Sequence, residues 1–294
     1  MVTIVICYQK GTALMLSACL ASIVRHTKDV PYLIEILTKQ GDADDALGVL
    51  ALDYPDIRIH EIPIPLGESS KIHGALLDSF IPSSIATKYV MTLDSDCFPV
   101  ADGWLSDLLD MLGKGAHISG ILHPWAPPPA DMKKTKIEWR VRSQHCWETT
   151  HVACQLTHTS CLQLLQVKYN MGDDTGLTVP MEAKKRGWII DGFKVSRCAK
   201  PVVGKIDPEF NRYVSLVFGD KVYHHGGFSR TTTLGDEPMF DSEFGWVRDR
   251  ILNDKGAEFL LDDSVSYRFK FDREEDVAVE KMQRLFGLKS QRMG

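Results

Sequence analysis

Short aliphatic and β-branched runs recur along the first half of the chain, separated by turn-rich stretches and by segments whose apolar positions repeat at helical spacing. Thr3 to Tyr8 is such a run, apolar on consecutive positions as in a strand buried on both faces. Leu16, Leu20, Ile23 and Val24 then share one face of a helix for which Thr12 is the expected N-cap. Tyr32 to Thr38 and Ile57 to Ile62 predict two more strands, the first ending in the turn-rich segment Gln40 to Asp45. Gly74 to Phe80 predicts a helix stopped by Pro82, and Lys88 to Leu93 a fourth strand that runs directly into Asp94. Trp104, Leu105, Leu108, Leu109 and Leu112 predict an amphipathic helix, and His117 to Leu122 a further strand. This alternation implies an α/β fold with a mostly parallel sheet flanked by helices on both faces. Ligands of such sheets bind beyond the carboxyl ends of the strands.

The second half is less regular. His123 to Thr150 holds Trp125, a triple proline and the basic residues Lys133, Lys134 and Lys136, and reads as a long functional loop. Val152 to Leu156 predicts a strand, and Ser160 is placed to cap a short helix. Val179 to Arg186 predicts a helix with Pro180 near its start and Gly187 past its end. Trp188 to Asp191 and Val214 to Tyr223 read as strands, the second leading into His224-His225-Gly226-Gly227. Beyond residue 231 two helical patterns follow, one through Phe240, Phe244, Val247 and Ile251.

With 294 residues the chain suffices for one large α/β domain, or for one domain and a small appendage. No run approaches the roughly 18 apolar residues of a membrane span. The opening residues lack the basic flank of a signal peptide, and the seven cysteines are odd in number and irregularly spaced. A cytoplasmic location is expected. The net charge of -5 argues against a strongly basic nucleic-acid binder.

Chemistry concentrates in Asp94-Ser95-Asp96. Residues two apart on an extended chain point the same way, so two carboxylates would enter the crevice together. That arrangement suits a hard cation such as Mn²⁺ or Mg²⁺, which can bridge to a diphosphate and neutralise a leaving group. The alternative reading is an ordinary acidic strand end. Asp173-Asp174 precedes the Pro180 helix, fitting either a general base or an acidic helix start. The doublet His224-His225 would complete a Mn²⁺ site. His145, Cys146, His151, Cys154, His158 and Cys161 also crowd together, in spacings compatible with structural zinc. Trp125, Trp139 and Trp147 are either stacking platforms or loop anchors.

These motifs, in this order, resemble the GT-A-fold glycosyltransferases, especially the inverting family 2 type. Val2 to Lys10, followed by Cys19 to Ile23, is similar to that family's opening strand and helix. Tyr89 to Asp96 is similar to its DxD strand, and His151 to Leu156 with Gly172-Asp173-Asp174 to its acceptor half. Val222 to Arg230 resembles its late histidine-bearing segment. The resemblance implies a glycosyltransferase domain over residues 1–230, with a donor half to about residue 122, an acceptor half from 123, and a C-terminal helical extension over 231–294. It implies that Asp94 and Asp96 hold the metal with His224, or with His225. Asp174 is the implied base, and Asp173 orients the acceptor. Tyr8, Lys39, Asp42, His73, Asp94, Ser95 and Arg230 would bind a nucleoside diphosphate-sugar donor, and Trp125, Trp147 and Asp173 the acceptor. Lys39 stands where the family often has an acid, and His73-Gly74 where Arg-Asn is usual.

The acceptor expected on this reading is a glycan. Modified bases of viral DNA are an alternative, given Lys133, Lys134, Lys136, Arg140 and Arg142 among aromatics. A nucleotidyltransferase would need a glycine-rich loop after the first strand, where only Gly11 stands. A non-catalytic sugar- or protein-binding module on the same fold is the remaining alternative.

Overall fold

Val2–Cys7 forms β1, and its alternate side chains serve two cores: Val2, Ile4 and Ile6 pack on one face, Val5 on the other. This is why the run carries no polar alternation. The computed structural model describes residues 1–64, 69–125, 147–166, 168–170, 175, 176, 178–199, 215–225, 266 and 267. α1 (Ala13–His26) follows, with Leu16, Leu20 and Ile23 fully buried and Val24 turned to solvent, off the face expected for it. β2 (Tyr32–Lys39), α2 (Asp45–Asp53), β3 (Ile57–Ile62), α3 (Ser69–Ser84) and β4 (Tyr89–Asp94) continue the alternation. β5 (Cys97–Pro99), α4 (Trp104–Gly113), β6 (Ile118–Trp125) and β7 (Trp147–His158) come next. After them lie α5 (Thr159–Leu165), α6 (Thr178–Lys185), β8 (Ile190–Phe193), β9 (Val195–Ala199), the hairpin β10 (Ser215–Phe218) and β11 (Val222–His225), and β12 (Ser266–Tyr267).

Seven strands make the main sheet in the order β3-β2-β1-β4-β7-β6-β8. β7 runs antiparallel to both its neighbours, and the other pairings are parallel. On one face lie α1, α2 and α4, joined to the core through residues such as Leu16, Leu47, Trp104 and Leu108. Leu76, Leu77, Phe80 and Ile81 of α3, Leu165 of α5, and Val179 and Ala183 of α6 cover the other. The α/β architecture with a mostly parallel sheet flanked by helices is therefore the one expected. A second, five-stranded sheet has the order β12-β9-β10-β11-β5. It shares the first core through Phe98, Leu216, Val217, Phe218 and Tyr223. β12 comes from the C-terminal segment expected to be helical, and it pairs with β9.

Several elements differ from the sequence reading. α3 runs through Pro82 to Ser84. A proline in the last turn gives up one hydrogen bond without breaking the turns before it. α2 is not among the predicted elements although its signal is present: Asp44 caps it by accepting from the Leu47 N–H at 2.9 Å, and Leu47 and Leu50 are its buried residues. Where a single strand was expected from Val214 to Tyr223, the described residues from Ser215 onward form a hairpin, turning at Gly219 and Asp220, which both adopt positive φ, at 58° and 54°. β6 and β7 extend well into the segment read as loop, with Trp125 opposite Trp147. Among the described residues Cys7, Cys19, Cys97, Cys154 and Cys161 are free thiols. No helix among the described residues is long and apolar enough to cross a membrane.

Candidate metal and donor site

β4 carries Asp94 to the carboxyl end of the main sheet, level with Cys7 of the parallel β1. The chain then passes Ser95 and Asp96, both buried, and enters β5 in the second sheet. The β11–β5 ladder sets His224 opposite Cys97, one residue beyond Asp96. His224 Nε2 consequently lies 3.7 Å from Asp96 Oδ1. His73, near the start of α3, brings its Nε2 to 3.5 Å from Asp94 Oδ1. From the central antiparallel strand β7, His151 completes the group: one ligand atom each from Asp94, His151 and His224 lie within 4.8 Å of one another. The His123 ring packs against two of them, its centroid 5.3 Å from that of His151 and 6.1 Å from that of His224.

The electrostatics are those of a site built for positive charge. Burial, and then the neighbouring Asp94, push the Asp96 carboxyl well above the usual carboxylate range. Burial followed by the same two carboxylates pushes the Cys19 thiol up. Among the described residues no lysine or arginine pairs with Asp94 or Asp96; their ion pairs are to histidines. The buried Asp94 Oδ1 makes no hydrogen bond in the structure. Buried carboxylates normally pair with a cation or accept several hydrogen bonds. Oxygen and imidazole donors together suit a borderline first-row ion such as Mn²⁺ better than they suit Mg²⁺. The residues present therefore fit the divalent ion expected.

Of the residues read from sequence, the structure brings together Asp94, Asp96, His224, Ser95 and His73. Tyr8 is buried, with its hydroxyl 2.9 and 2.8 Å from the two carboxylate oxygens of Asp44, so it joins the end of β1 to the start of α2. Lys39 ends β2, and Asp42 follows in a turn closed by its N–H on the Lys39 carbonyl at 2.9 Å. His225 ends β11 opposite Ser215, and Trp125 and Trp147 are register partners in the backbone of the β6–β7 ladder. Their side chains, and Asp173, Asp174 and Arg230 altogether, lie outside the described residues. So do Lys133, Lys134, Lys136, Trp139, Arg140 and Arg142.

Sequence reasoning misses His123 and His151 as site residues. The sequence offers His151 as a zinc candidate and as the start of the acceptor-half motif, not as a partner of Asp94. Of the zinc set, His145 and Cys146 lie outside the described residues and the rest divides in the structure. Cys154 is fully buried opposite Leu93, near the end of β4, whereas His158 pairs with Tyr89 at its beginning. At about 3.4 Å per residue those positions are separated by more than 10 Å, too far for one ion. His151 faces the carboxylates because the β6–β7 ladder is irregular there. Between the pairs Gly120–Gln155 and Leu122–Thr150, β6 supplies Ile121 alone while β7 supplies His151, Val152, Ala153 and Cys154. Bulges of this kind re-aim side chains near functional sites, and nothing in the local sequence announces this one.

No protein-family description matches the chain, and no curated protein matches it. Solved structures do show similarity. The mannosyltransferase PcManGT from Pyrobaculum calidifontis, in complex with GDP-Man and Mn²⁺, is 14% identical over 99% of this chain and 76% of its own, with a TM-score of 0.47. TarS 1-349 of S. aureus, in complex with UDP-GlcNAc, is 11% identical over 62% of this chain at a TM-score of 0.42. The match spans about half of that TarS chain, 52%. The 4-diphosphocytidyl-2C-methyl-D-erythritol synthase of Anaerococcus prevotii is 10% identical over 66% of this chain and 86% of its own, with a TM-score of 0.45.

Proposed function

We propose that this chain is a metal-dependent, inverting glycosyltransferase that moves a sugar from a nucleoside diphosphate-sugar to an acceptor hydroxyl, most simply of a glycan. One observation carries the reading: Asp94, Asp96 and His224 converge at the carboxyl end of a parallel strand, with Asp94 Oδ1 buried and making no hydrogen bond. That is the end of an α/β sheet where phosphorylated ligands bind. Asp94, Asp96 and His224 would hold the ion, and Ser95 and His73 border it. When bound, the ion would offset the negative charge that develops on a departing nucleoside diphosphate.

The chain's own residues have separate tasks on this reading. Asp174 takes the proton of the acceptor hydroxyl, a contribution of typically about 10² to 10⁴ in rate, and Asp173 orients the acceptor. Arg230 holds the diphosphate. The described turns at 169–170 and 175–176, on either side of the acidic segment, are both anchored by hydrogen bonds. The Tyr169 and Asn170 N–H groups donate to Asp78 at 2.6 and 3.0 Å, and the Gly176 N–H donates to the Tyr169 carbonyl at 2.9 Å. The lining of Lys39, Asp42 and Tyr8 at the ends of β1 and β2 is the reading's place for the nucleotide base.

The experiment is a thermal-stability screen against nucleoside diphosphates and their sugars, with Mn²⁺ and with chelator. A ligand that binds only the folded state raises the melting temperature. One nucleotide is expected to stabilise the protein in the presence of Mn²⁺ and to lose that effect on chelation. Absence of any shift across the panel would overturn the reading and favour a non-catalytic module.

A further inference from the structure

His151 lies within reach of the carboxylate and imidazole of the site, and it is the residue the metal reading leaves without a task. Resting on that reading, we propose that His151 is a hydrogen-bond donor to the phosphate oxygens of the bound ligand and not a ligand of the ion. The backbone around His151 sets its tautomer. Ala153, fully buried on the bulged stretch of β7, donates its backbone N–H to His151 Nδ1 at 3.1 Å. A ring nitrogen that accepts from an N–H carries no proton of its own, so in the neutral imidazole the proton is on Nε2. A metal ligand needs the opposite arrangement, with the coordinating nitrogen bare and the other nitrogen protonated against an acceptor. To join the ion through Nε2, His151 would have to place a proton on Nδ1 facing the Ala153 N–H. To join through Nδ1 it would have to take away the acceptor of a buried N–H. The bulge that presents His151 therefore also sets it as a donor.

Its position gives that donor an object. A His151 ligand atom is within 4.8 Å of an Asp94 oxygen and of a His224 nitrogen, so an anion drawn to an ion at Asp94, Asp96 and His224 would come beside it. Gly120 fixes this placement. A Cβ at residue 120 would collide with the Cys154 carbonyl, so the bulge can close over β6 only because that residue is glycine. His123 packs against the His151 ring, at 5.3 Å between centroids and tilted by 41°. No proton changes owner in this role: His151 keeps its Nε2 proton and shares it with a phosphate oxygen.

The test separates the ion from the anion, using the full chain, Mn²⁺ and inorganic pyrophosphate. Mn²⁺ affinity and nitrogen coupling are read by electron paramagnetic resonance, and pyrophosphate affinity by calorimetry on Mn²⁺-saturated protein. In His151→Ala, Mn²⁺ affinity is expected to stay within about 3-fold of wild type with the nitrogen coupling unchanged. Pyrophosphate affinity is expected to fall about 10- to 100-fold, the range of a hydrogen bond to a charged group. His151→Gln, whose amide restores a donor, is expected to recover part of that loss. A tenfold or greater loss of Mn²⁺ affinity with a diminished nitrogen coupling would make His151 a metal ligand and overturn the proposal. Unchanged pyrophosphate affinity in both variants would overturn it as well. Failure of the wild-type protein to bind Mn²⁺ would instead remove the metal-dependent reading, and this inference with it.

Discussion

His224 stands opposite Cys97 in the ladder between β11 and β5, one residue past Asp96. Residues more than a hundred positions apart are thereby held in register by backbone hydrogen bonds, and not by the long side chains of a surface cluster. β5 starts immediately after Asp96 and ends at Pro99, so the turn that releases the acidic run from the main sheet also delivers it to the second one. The two sheets meet at this point, and the candidate site is their junction.

This junction makes a prediction about charge. Asp96 is buried beside Asp94 with only histidines as ionic partners among the described residues. Without an ion, two neighbouring carboxylates repel in a poorly solvated place. Asp96→Asn removes one charge at nearly constant volume. The metal-free variant is expected to melt above the metal-free wild type at neutral pH. Added Mn²⁺ should raise the wild-type midpoint and leave that of the variant unmoved. His224→Ala should likewise weaken Mn²⁺ binding, by about tenfold or more. A variant that still gains stability from Mn²⁺ as wild type does would remove Asp96 from the site.

Much of the main sheet was legible in the sequence because its inner strands β1, β2 and β4 carry largely buried apolar runs and its helices bury one face. Ile57 to Ile62 coincides with β3, and the acidic run falls where it is expected, at the end of β4. The second sheet was not legible. β5 is three residues long and β11 four, lengths at which no periodicity can declare itself, and their pairing is set by tertiary contact. The hairpin turn at Gly219 and Asp220 carries a Gly-Asp signal, but it lies inside an apolar run that reads as a single strand. His151 was illegible for a different reason. A strand read as regular gives a fixed alternation of faces, and the bulge opposite Ile121 breaks that count just where the histidine is delivered.

Gly74 tests how closely the α3 side of the site is packed. A Cβ at this position would lie 2.6 Å from Asn170 Cα and 2.8 Å from its backbone nitrogen, so helix and turn touch main chain to main chain. The same turn is held by Asp78. Gly74→Ala must push the turn away or shift α3. Overpacking of this kind costs about 1 to 3 kcal/mol, and urea unfolding is expected to show it as a lower midpoint with an unchanged slope. On the proposed function, α3 also carries His73 to Asp94. The variant should therefore lose turnover beyond what its folded fraction accounts for. A Gly74→Ala protein as stable as wild type would show that the contact is looser than the structure has it.

Asp44 gives a prediction in pH. Its carboxylate sits where three segments meet: it caps α2 through Leu47, accepts the Gly11 N–H at 3.3 Å, and receives the Tyr8 hydroxyl. Burial raises its pKa, but the hydrogen bonds from Leu47, Tyr8 and Gly11 and the nearby Lys10 outweigh that, and the net shift is downward. A carboxyl held below its unfolded value binds its proton more weakly in the folded state. Its stabilisation is therefore complete above the ordinary aspartate pKa of about 3.9 and is lost as pH falls through the lower folded value. Asp44→Asn keeps a capping side chain of similar quality but cannot carry the charge. The midpoint difference between wild type and Asp44→Asn should be full from about pH 5 upward and should close as the solution is taken well below pH 4. Asp44→Ala should lose a further 0.5–2 kcal/mol, roughly the worth of an N-cap, at every pH. A difference that stays constant through the acid range would mean that Asp44 acts through its shape and not its charge. The tie from Tyr8 to α2 would then be an ordinary turn, and the base-side crevice of the proposed donor site would have no electrostatic lock.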